Sequence, residues 1–444
     1  MDRTVMNELV AWKNDGHRKP LLLSGARQTG KTWLLKQFGH DHFERVFYVS
    51  LDKLATAAAV FDGDLEPQRL LDGLAVAARE EPVDPRSTLI VLDEIQDVPR
   101  ALASLKYFAE DAPEYAVACA GSLLGVSLHS GMTFPVGKVT MVDVHPMTFL
   151  EYLTALGEDG VAGLLERHDF SLLAAFHLRL TELLRTYFIV GGMPEAVADY
   201  SERRDFGRVR AIQDDILAAY DRDFSKHAPA DQVPRLREIF RSVPQQLARE
   251  NRKFVYGQVR EGARARNYET ALQWLYDAGL LLRVDRVTVP RLPLAHYRDE
   301  RSFKLFLLDV GLLAAMSRLE PQIILEGSAI FTEFKGALTE QYVCQELTMT
   351  PLAPPMYWSS DTGTAEVDFV VQTPTGVVPV EVKAEQNLRA KSLRVYRNRF
   401  SPPVAVRTSM APHEEQPGLL SLPLYAIATL PGVITINASS QTPE

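Results

Sequence analysis

The sequence predicts a multidomain α/β protein, and three observations carry that reading. Gly25-Ala26-Arg27-Gln28-Thr29-Gly30-Lys31-Thr32 lies between a short apolar run and a helical one. Residues 88–92 form a second apolar run that ends on the carboxylates of Asp93 and Glu94. Far downstream, Asp368 and the pair Glu381 and Lys383 flank a turn at Thr375-Gly376. Strands alternating with helices around the first two features imply a doubly wound sheet with its chemistry at the strand ends.

The glycine-containing stretch fits G-x-x-x-x-G-K-[ST], the P-loop pattern. Residues 20–24 read as a buried strand and residues 33–38 continue with helical character. Glycines let backbone N–H groups close around phosphate oxygens, and the helix N-terminus favours the anion. In an ATP site the backbone of Gly25 to Gly30 would cradle the phosphates. Lys31 would reach the β- and γ-phosphates, and the Thr32 hydroxyl would ligate Mg²⁺. Asp93 would hold the Mg²⁺ shell and Glu94 would act as general base toward the attacking water. The two motifs in this order make ATP and Mg²⁺ the expected cofactors.

Composition sets the limits. The chain has 444 residues, room for more than one domain, and its 46% hydrophobic content suits a packed core. No apolar run is long enough to span a bilayer, so no membrane partner is expected. Cys119 and Cys344 are the two cysteines, far apart in apolar surroundings, which argues for a reducing cytoplasm without disulfides or a zinc site. A net charge of −9 speaks against coating nucleic acid through bulk electrostatics. Any DNA contact has to come from local basic patches.

Taken in order, residues 2–15 read as a helix, 46–52 as the second strand, and 67–78 as a helix with Leu70, Leu71 and Leu74 on one face. After the acidic strand come a helix over 99–109 and a strand over 115–122 ending on Ser122. Beside the phosphate strands its hydroxyl could sense the γ-phosphate; a plain turn cap is the competing role. Residues 136–142 read as the last strand, and the first domain is placed at 1–155. Residues 156–233 are helical, lid-like, and carry Gly191-Gly192-Met193-Pro194 at a helix start.

Residues 234–300 follow the order helix, turn, helix and β-wing of a winged helix. From Arg235 to Glu269 nine basic residues face four acidic ones, a local net of about +5. DNA is therefore an expected partner through 234–300, although winged helices also serve as packing modules.

The last domain, 301–444, holds the third feature. Residues 331–347 read as a helix carrying Glu340, followed by strands over 356–359, 365–371 and 377–384. Glu381 and Lys383, two apart on one strand, project from one face, and a hairpin brings Asp368 beside them. Asp368 and Glu381 would ligate Mg²⁺, Glu340 would complete the shell, and Lys383 would orient or deprotonate a water. An ordinary half-exposed hairpin with outward charges gives the same pattern. Basic residues within 383–407, among them Arg389, Lys391 and Arg394, would suit a phosphate backbone.

Together these residues resemble a bacterial and archaeal family of AAA-type P-loop ATPases. The C-terminal part of that family is a domain of unknown function with a restriction-endonuclease-like PD-(D/E)XK core. The likeness rests on the P-loop with Arg27-Gln28 inside it, on Asp93-Glu94-Ile95-Gln96 and on Gly191-Gly192-Met193-Pro194-Glu195. Further support comes from Leu308-Asp309-Val310-Gly311-Leu312, Thr339-Glu340, Glu366-Val367-Asp368 and Glu381-Val382-Lys383. It implies an AAA ATPase module, a helical lid, a winged helix and a nuclease-like α/β domain. Where many relatives carry Gly-Arg this chain has Gly137-Lys138, and lysine replaces a bidentate arginine poorly. The expected activity is ATP hydrolysis coupled to a Mg²⁺-dependent, DNA-directed nuclease-like domain. The competing reading is a nucleotide-switched scaffold whose last domain only packs or docks DNA. A homo-oligomer stays open.

Overall fold

The computed structural model describes residues 2–122, 134–249, 253–326, 332–384 and 391–440. They form two compact units. One holds Asp2–His145 with Asp277–Gly279, and the other holds residues 146–276 and 280–444.

The first unit is built on five parallel strands: β1 (Leu21–Ser24), β2 (Arg45–Ser50), β3 (Thr88–Asp93), β4 (Ala116–Ala120) and β5 (Thr140–Asp143). Their order is β2-β3-β4-β1-β5. Alternate residues face opposite sides, so both faces need cover, as the near-continuous apolar runs of a parallel sheet require. Leu21, Leu23, Leu89 and Val91 pack with Leu9, Leu34 and Phe38 of the helices on one side. Leu22, Ile90 and Leu92 pack with Leu70, Leu74 and Leu105 on the other.

The boundary expected at 155 falls ten residues earlier, after His145. The helix Phe149–Ala155 belongs to the second unit: the Phe149 ring lies edge-on to Tyr187 and Tyr342, and its N–H donates to Glu346 at 2.9 Å. The strand expected over 136–142 begins only at Thr140, after a turn in which Gly137 adopts φ +73° and Val136 is exposed.

The second unit is not divided at 233/234 or 300/301. The first position lies in the helix Val233–Leu247 and the second in a strand. Helices His177–Val190, Pro194–Arg203 and Phe206–His227 precede an eight-stranded sheet. Its strands are β6 (Leu281–Val287), β7 (Arg298–Leu307), β8 (Met356–Ser359), β9 (Glu366–Thr373), β10 (Gly376–Val382), β11 (Ala405–Ser409), β12 (Glu414–Gln416) and β13 (Leu419–Pro423). The order is β12-β13-β11-β10-β9-β8-β6-β7. Helices Val233–Leu247, Tyr256–Val259 and Ala265–Asp277 do precede a hairpin. That hairpin is no free wing, because β6 also pairs with β8, Arg286 opposite Tyr357 and Val287 opposite Trp358.

Two motifs separated by more than a hundred residues meet in this unit. Asp309 is fully buried and accepts from the Gly192 N–H at 2.6 Å and the Leu312 N–H at 2.9 Å. Burial pushes its carboxyl up to about 6 against the pull of these donors. Gly191, at φ +70°, has no room for a Cβ, which would stand 2.2 Å from the Asp309 carboxylate. The Gly-Gly-Met-Pro and Leu-Asp-Val-Gly motifs are thus two halves of one buried junction.

Candidate functional site

The P-loop joins β1 to the helix Lys31–His42, and the chain needs positive φ to turn there. Gly25 (φ +127°), Gln28 (φ +65°) and Gly30 (φ +91°) provide it. A Cβ on Gly25 would lie 2.3 Å from the Val144 carbonyl oxygen, so that position takes glycine alone. The loop is tied internally by the Thr29 hydroxyl donating to the Ala26 carbonyl at 2.9 Å. Arg3 reaches it from the N-terminal end, donating to the Thr29 carbonyl at 3.1 Å. Lys31 is buried and donates to the carbonyls of Gly25 and Ala26 at 2.9 and 2.7 Å. Burial brings its ammonium down to about 8, opposed by Glu94 and Asp93.

Asp93 ends β3 beside the loop. Its Oδ2 accepts from the Thr32 hydroxyl at 2.9 Å and from the Tyr48 hydroxyl at 2.7 Å. Thr32 and Asp93 therefore present the hydroxyl and carboxylate that suit a Mg²⁺ keeping most of its waters. Glu94 follows in the left-handed region (φ +52°) and accepts from Gln96 Nε2 at 2.5 Å. Ser122 is buried at the end of β4, between the P-loop strand and β3, with its hydroxyl 3.5 Å from Glu94. The structure thus gathers Lys31, Thr32, Asp93, Glu94 and Ser122, as expected from sequence. Tyr48 was missed. It sits on β2 two residues before Ser50, which pairs with Asp93, and Lys36 stacks 3.9 Å from its ring centre. Lys138 pairs with Glu110 at 2.7 Å.

The second constellation converges in a cavity of about 860 Å³ lined by Glu340, Glu366, Asp368, Glu381 and Lys383, with Arg249 at its edge. β9 and β10 pair antiparallel and bring Asp368 beside the end of β10, where its Oδ2 accepts from the Val382 N–H at 2.8 Å. Lys383 lies one residue past β10 and donates to Glu381 Oε1 at 2.6 Å, so both side chains do share a side. Glu381 is buried, and its Oε2 has no hydrogen-bond partner. Burial first, and Asp368 second, push its carboxyl up to about 7.

Two expectations need correction here. β10 is no half-exposed hairpin strand, because it lies between β9 and β11 and is buried on both faces from Val377 to Val382. Glu340 does not complete a three-carboxylate shell: it pairs with Lys304 at 3.7 Å. Among the described residues no group of three or more acidic, His or Cys side chains could hold a metal ion. What remains fits a hard cation in a narrower sense. Asp368 and Glu381 are two neighbouring carboxylates, one with a buried oxygen lacking any donor. Lys304, 2.7 Å from Glu366, is the residue missed from sequence, and Glu366 was read there only as part of the Glu366-Val367-Asp368 motif. A lone lysine inside the apolar run from Phe303 to Leu308 was the available signal.

The basic stretch is partly spoken for. Arg237 pairs with Asp221 at 2.8 Å, Arg241 with the same carboxylate at 3.2 Å, and Arg235 with Asp231 at 3.7 Å. Both acids precede the stretch, so the count over 235–269 overstates its charge. Arg264 and Arg266 are exposed, as is Arg260, which stands 3.8 Å from Glu238. Arg252 and residues 385–390, including Arg389, lie outside the described residues. No helix of the described residues is long and apolar enough to cross a membrane.

Comparison with known proteins agrees with this geometry in the first unit. Residues 17–153 match an AAA domain, residues 181–323 a domain of unknown function (DUF8612), and residues 335–425 a second domain of unknown function (DUF4143). The first unit is accordingly a P-loop domain of the AAA type. No curated protein matches the chain. Among solved structures, a Walker-type ATPase of Pyrococcus abyssi is 14% identical, with 71% of this chain and 95% of that one covered and a TM-score of 0.45. The Orc1 protein of Aeropyrum pernix in complex with DNA is 17% identical, with 71% and 90% covered and a TM-score of 0.24. Scores this low leave the chain's own residues to carry the reading.

Proposed function

We propose that this chain hydrolyses ATP in its AAA unit and carries a Mg²⁺-dependent, DNA-directed nuclease-like site in its second unit, acting in the cytoplasm. In the first unit Lys31 would exchange its loop carbonyls for the β- and γ-phosphates. Glu94 would accept the proton of the attacking water once it leaves Gln96, with Ser122 close enough to read the γ-phosphate. Thr32 and Asp93 would hold the Mg²⁺.

The observation that carries the nuclease-like reading is the unpartnered, buried Glu381 Oε2 beside Asp368 and within reach of Lys383. The order of elements supports it: helix Thr332–Thr348, then β8, β9 and β10, then helix Lys391–Phe400 and β11 parallel to β10. The helix and the three strands after it agree with those read from the sequence for the nuclease-like domain. Asp368 and Glu381 would hold Mg²⁺, which when bound supplies charge stabilisation at a phosphate and a more acidic water. Lys383 would turn from Glu381 toward that water or a phosphate oxygen. Exposed Arg260, Arg264 and Arg266, together with basic residues of 383–407, would bring DNA to the unit.

One observation favours the scaffold reading: Lys304 already neutralises part of the carboxylate cluster. Purified full-length protein decides between the two, assayed for ATP turnover and for Mg²⁺- or Mn²⁺-dependent cleavage of DNA. Turnover without any cleavage favours the scaffold.

A further inference from the structure

Lys304 is an unusual residue for its position. It is 1% exposed, on a strand where Phe303, Leu305, Phe306 and Leu307 are buried as well. A buried ammonium is costly unless paired and hydrogen-bonded. Here it lies 2.7 Å from Glu366 and 3.7 Å from Glu340, over the Tyr357 ring at 5.1 Å. Its strand comes from the hairpin after Gly279, outside the helix that bears Glu340 and the β9–β10 hairpin that bears Glu366, Asp368 and Glu381.

Charge balance gives that placement a meaning. Four carboxylates (Glu340, Glu366, Asp368, Glu381) face Lys304, Lys383 and the Arg249 guanidinium at the edge, which leaves one negative charge among the described residues. A single divalent cation already more than offsets that charge, which leaves none for a second. Glu381 Oε2 lacks a hydrogen-bond partner and Asp368 neighbours that carboxylate, whereas Glu340 Oε2 stands 3.7 Å from the Lys304 ammonium and Glu366 pairs with it at 2.7 Å.

We propose that Lys304 is a resident cation occupying the Glu340–Glu366 end of the pocket, so that the site takes a single divalent ion, between Asp368 and Glu381. The proposal rests on the reading of this pocket as a cation site. Lys304 is then a positioning residue: it withholds Glu340 and Glu366 from metal and fixes the charge left for one ion. A two-metal arrangement is closed to the wild-type chain for as long as the lysine stays.

Mn²⁺ titration of the nucleotide-free, full-length chain tests this, with free Mn²⁺ counted by its paramagnetic resonance signal. An Asp93→Asn background removes the nucleotide-site contribution. One ion should bind, and Glu381→Gln should lose it. Lys304→Met should bind a second ion, because Glu340 and Glu366 are released, whereas Lys304→Arg should stay at one. An unchanged count in Lys304→Met overturns the proposal. Should that variant fold poorly, Glu366→Gln decides: the proposal requires that its one ion be kept, and loss of the ion would make Glu366 a ligand. If the wild-type pocket binds nothing, the cation reading of the site fails by itself. In that case a gain of binding in Lys304→Met still upholds the lysine as the occupant, and no gain overturns both.

Discussion

The Thr32 hydroxyl donates to the Asp93 carboxylate at 2.9 Å, joining the first turn of a helix to the end of a strand 61 residues later. This contact closes the nucleotide site around Lys31, and it fixes what substitutions there should do. Lys31→Ala should abolish ATP binding, since it removes the motif cation over the phosphates. Glu94→Gln should bind ATP normally and hydrolyse it about two to four decades more slowly, the usual contribution of a positioned base. Nucleotide binding by fluorescence and phosphate release by the same preparations check both. Undiminished release from Glu94→Gln would move the base elsewhere, with Gln96 next.

Tyr48 shares the Asp93 oxygen with Thr32, and burial together with Asp93 pushes its phenol well above the ordinary value. Tyr48→Phe should therefore leave fold and ATP binding intact while weakening Mg²⁺ affinity. The readout is a higher Mg²⁺ requirement for turnover, with the change in apparent affinity severalfold at most. An identical Mg²⁺ titration would make Tyr48 a packing residue only.

The charge pairs of the basic stretch separate two groups of arginines. Replacing exposed Arg260, Arg264 and Arg266 with Ala should weaken DNA binding and flatten its salt dependence, by about 0.9 in slope per lost phosphate contact. Arg237→Ala, which breaks a pair with Asp221, should leave the slope unchanged. Equal effects from both sets would mean that the stretch contributes bulk charge and no defined contact.

Glu346 gives a pH test that involves neither site. It is fully buried, its Oε1 accepts from the Phe149 N–H at 2.9 Å, and its Oε2 has no hydrogen-bond partner. Burial, and then Glu151, push its carboxyl from the ordinary 4.5 up to about 8. The folded chain thus holds a proton that the unfolded chain releases, so the stabilisation is complete below about 4.5 and is lost as pH rises through about 8. Glu346→Gln keeps the acceptor without the charge. Its melting temperature should match wild type near pH about 5 and exceed it increasingly toward pH about 9. A difference independent of pH would show that Glu346 carries no proton in the fold.

Sequence legibility followed chain distance. The P-loop and its acidic strand were readable because each is contiguous, and its spacing states its own geometry. The hairpin of Asp368, Glu381 and Lys383 was readable for the same reason, since a turn and a two-residue spacing determine which side chains meet. Lys304 was not, because its partners lie 36 and 62 residues away on a helix and another strand. Domain limits were misread where elements run through them: a helix spans 233/234 and β7 spans 300/301. That continuity has a practical consequence. A fragment starting at residue 300 would cut β7 and remove β6 from inside the sheet, so the pocket has to be tested in the full chain.

The central claim is that one chain joins an ATPase to a cation-dependent phosphodiester-cleaving site. The most direct measurement is cleavage of supercoiled and single-stranded DNA by full-length protein in Mg²⁺ or Mn²⁺, with ATP turnover followed alongside. Wild type should do both. Asp368→Asn and Glu381→Gln should lose cleavage while keeping turnover. No cleavage of either DNA form with either metal, or cleavage that survives Asp368→Asn, would contradict the account.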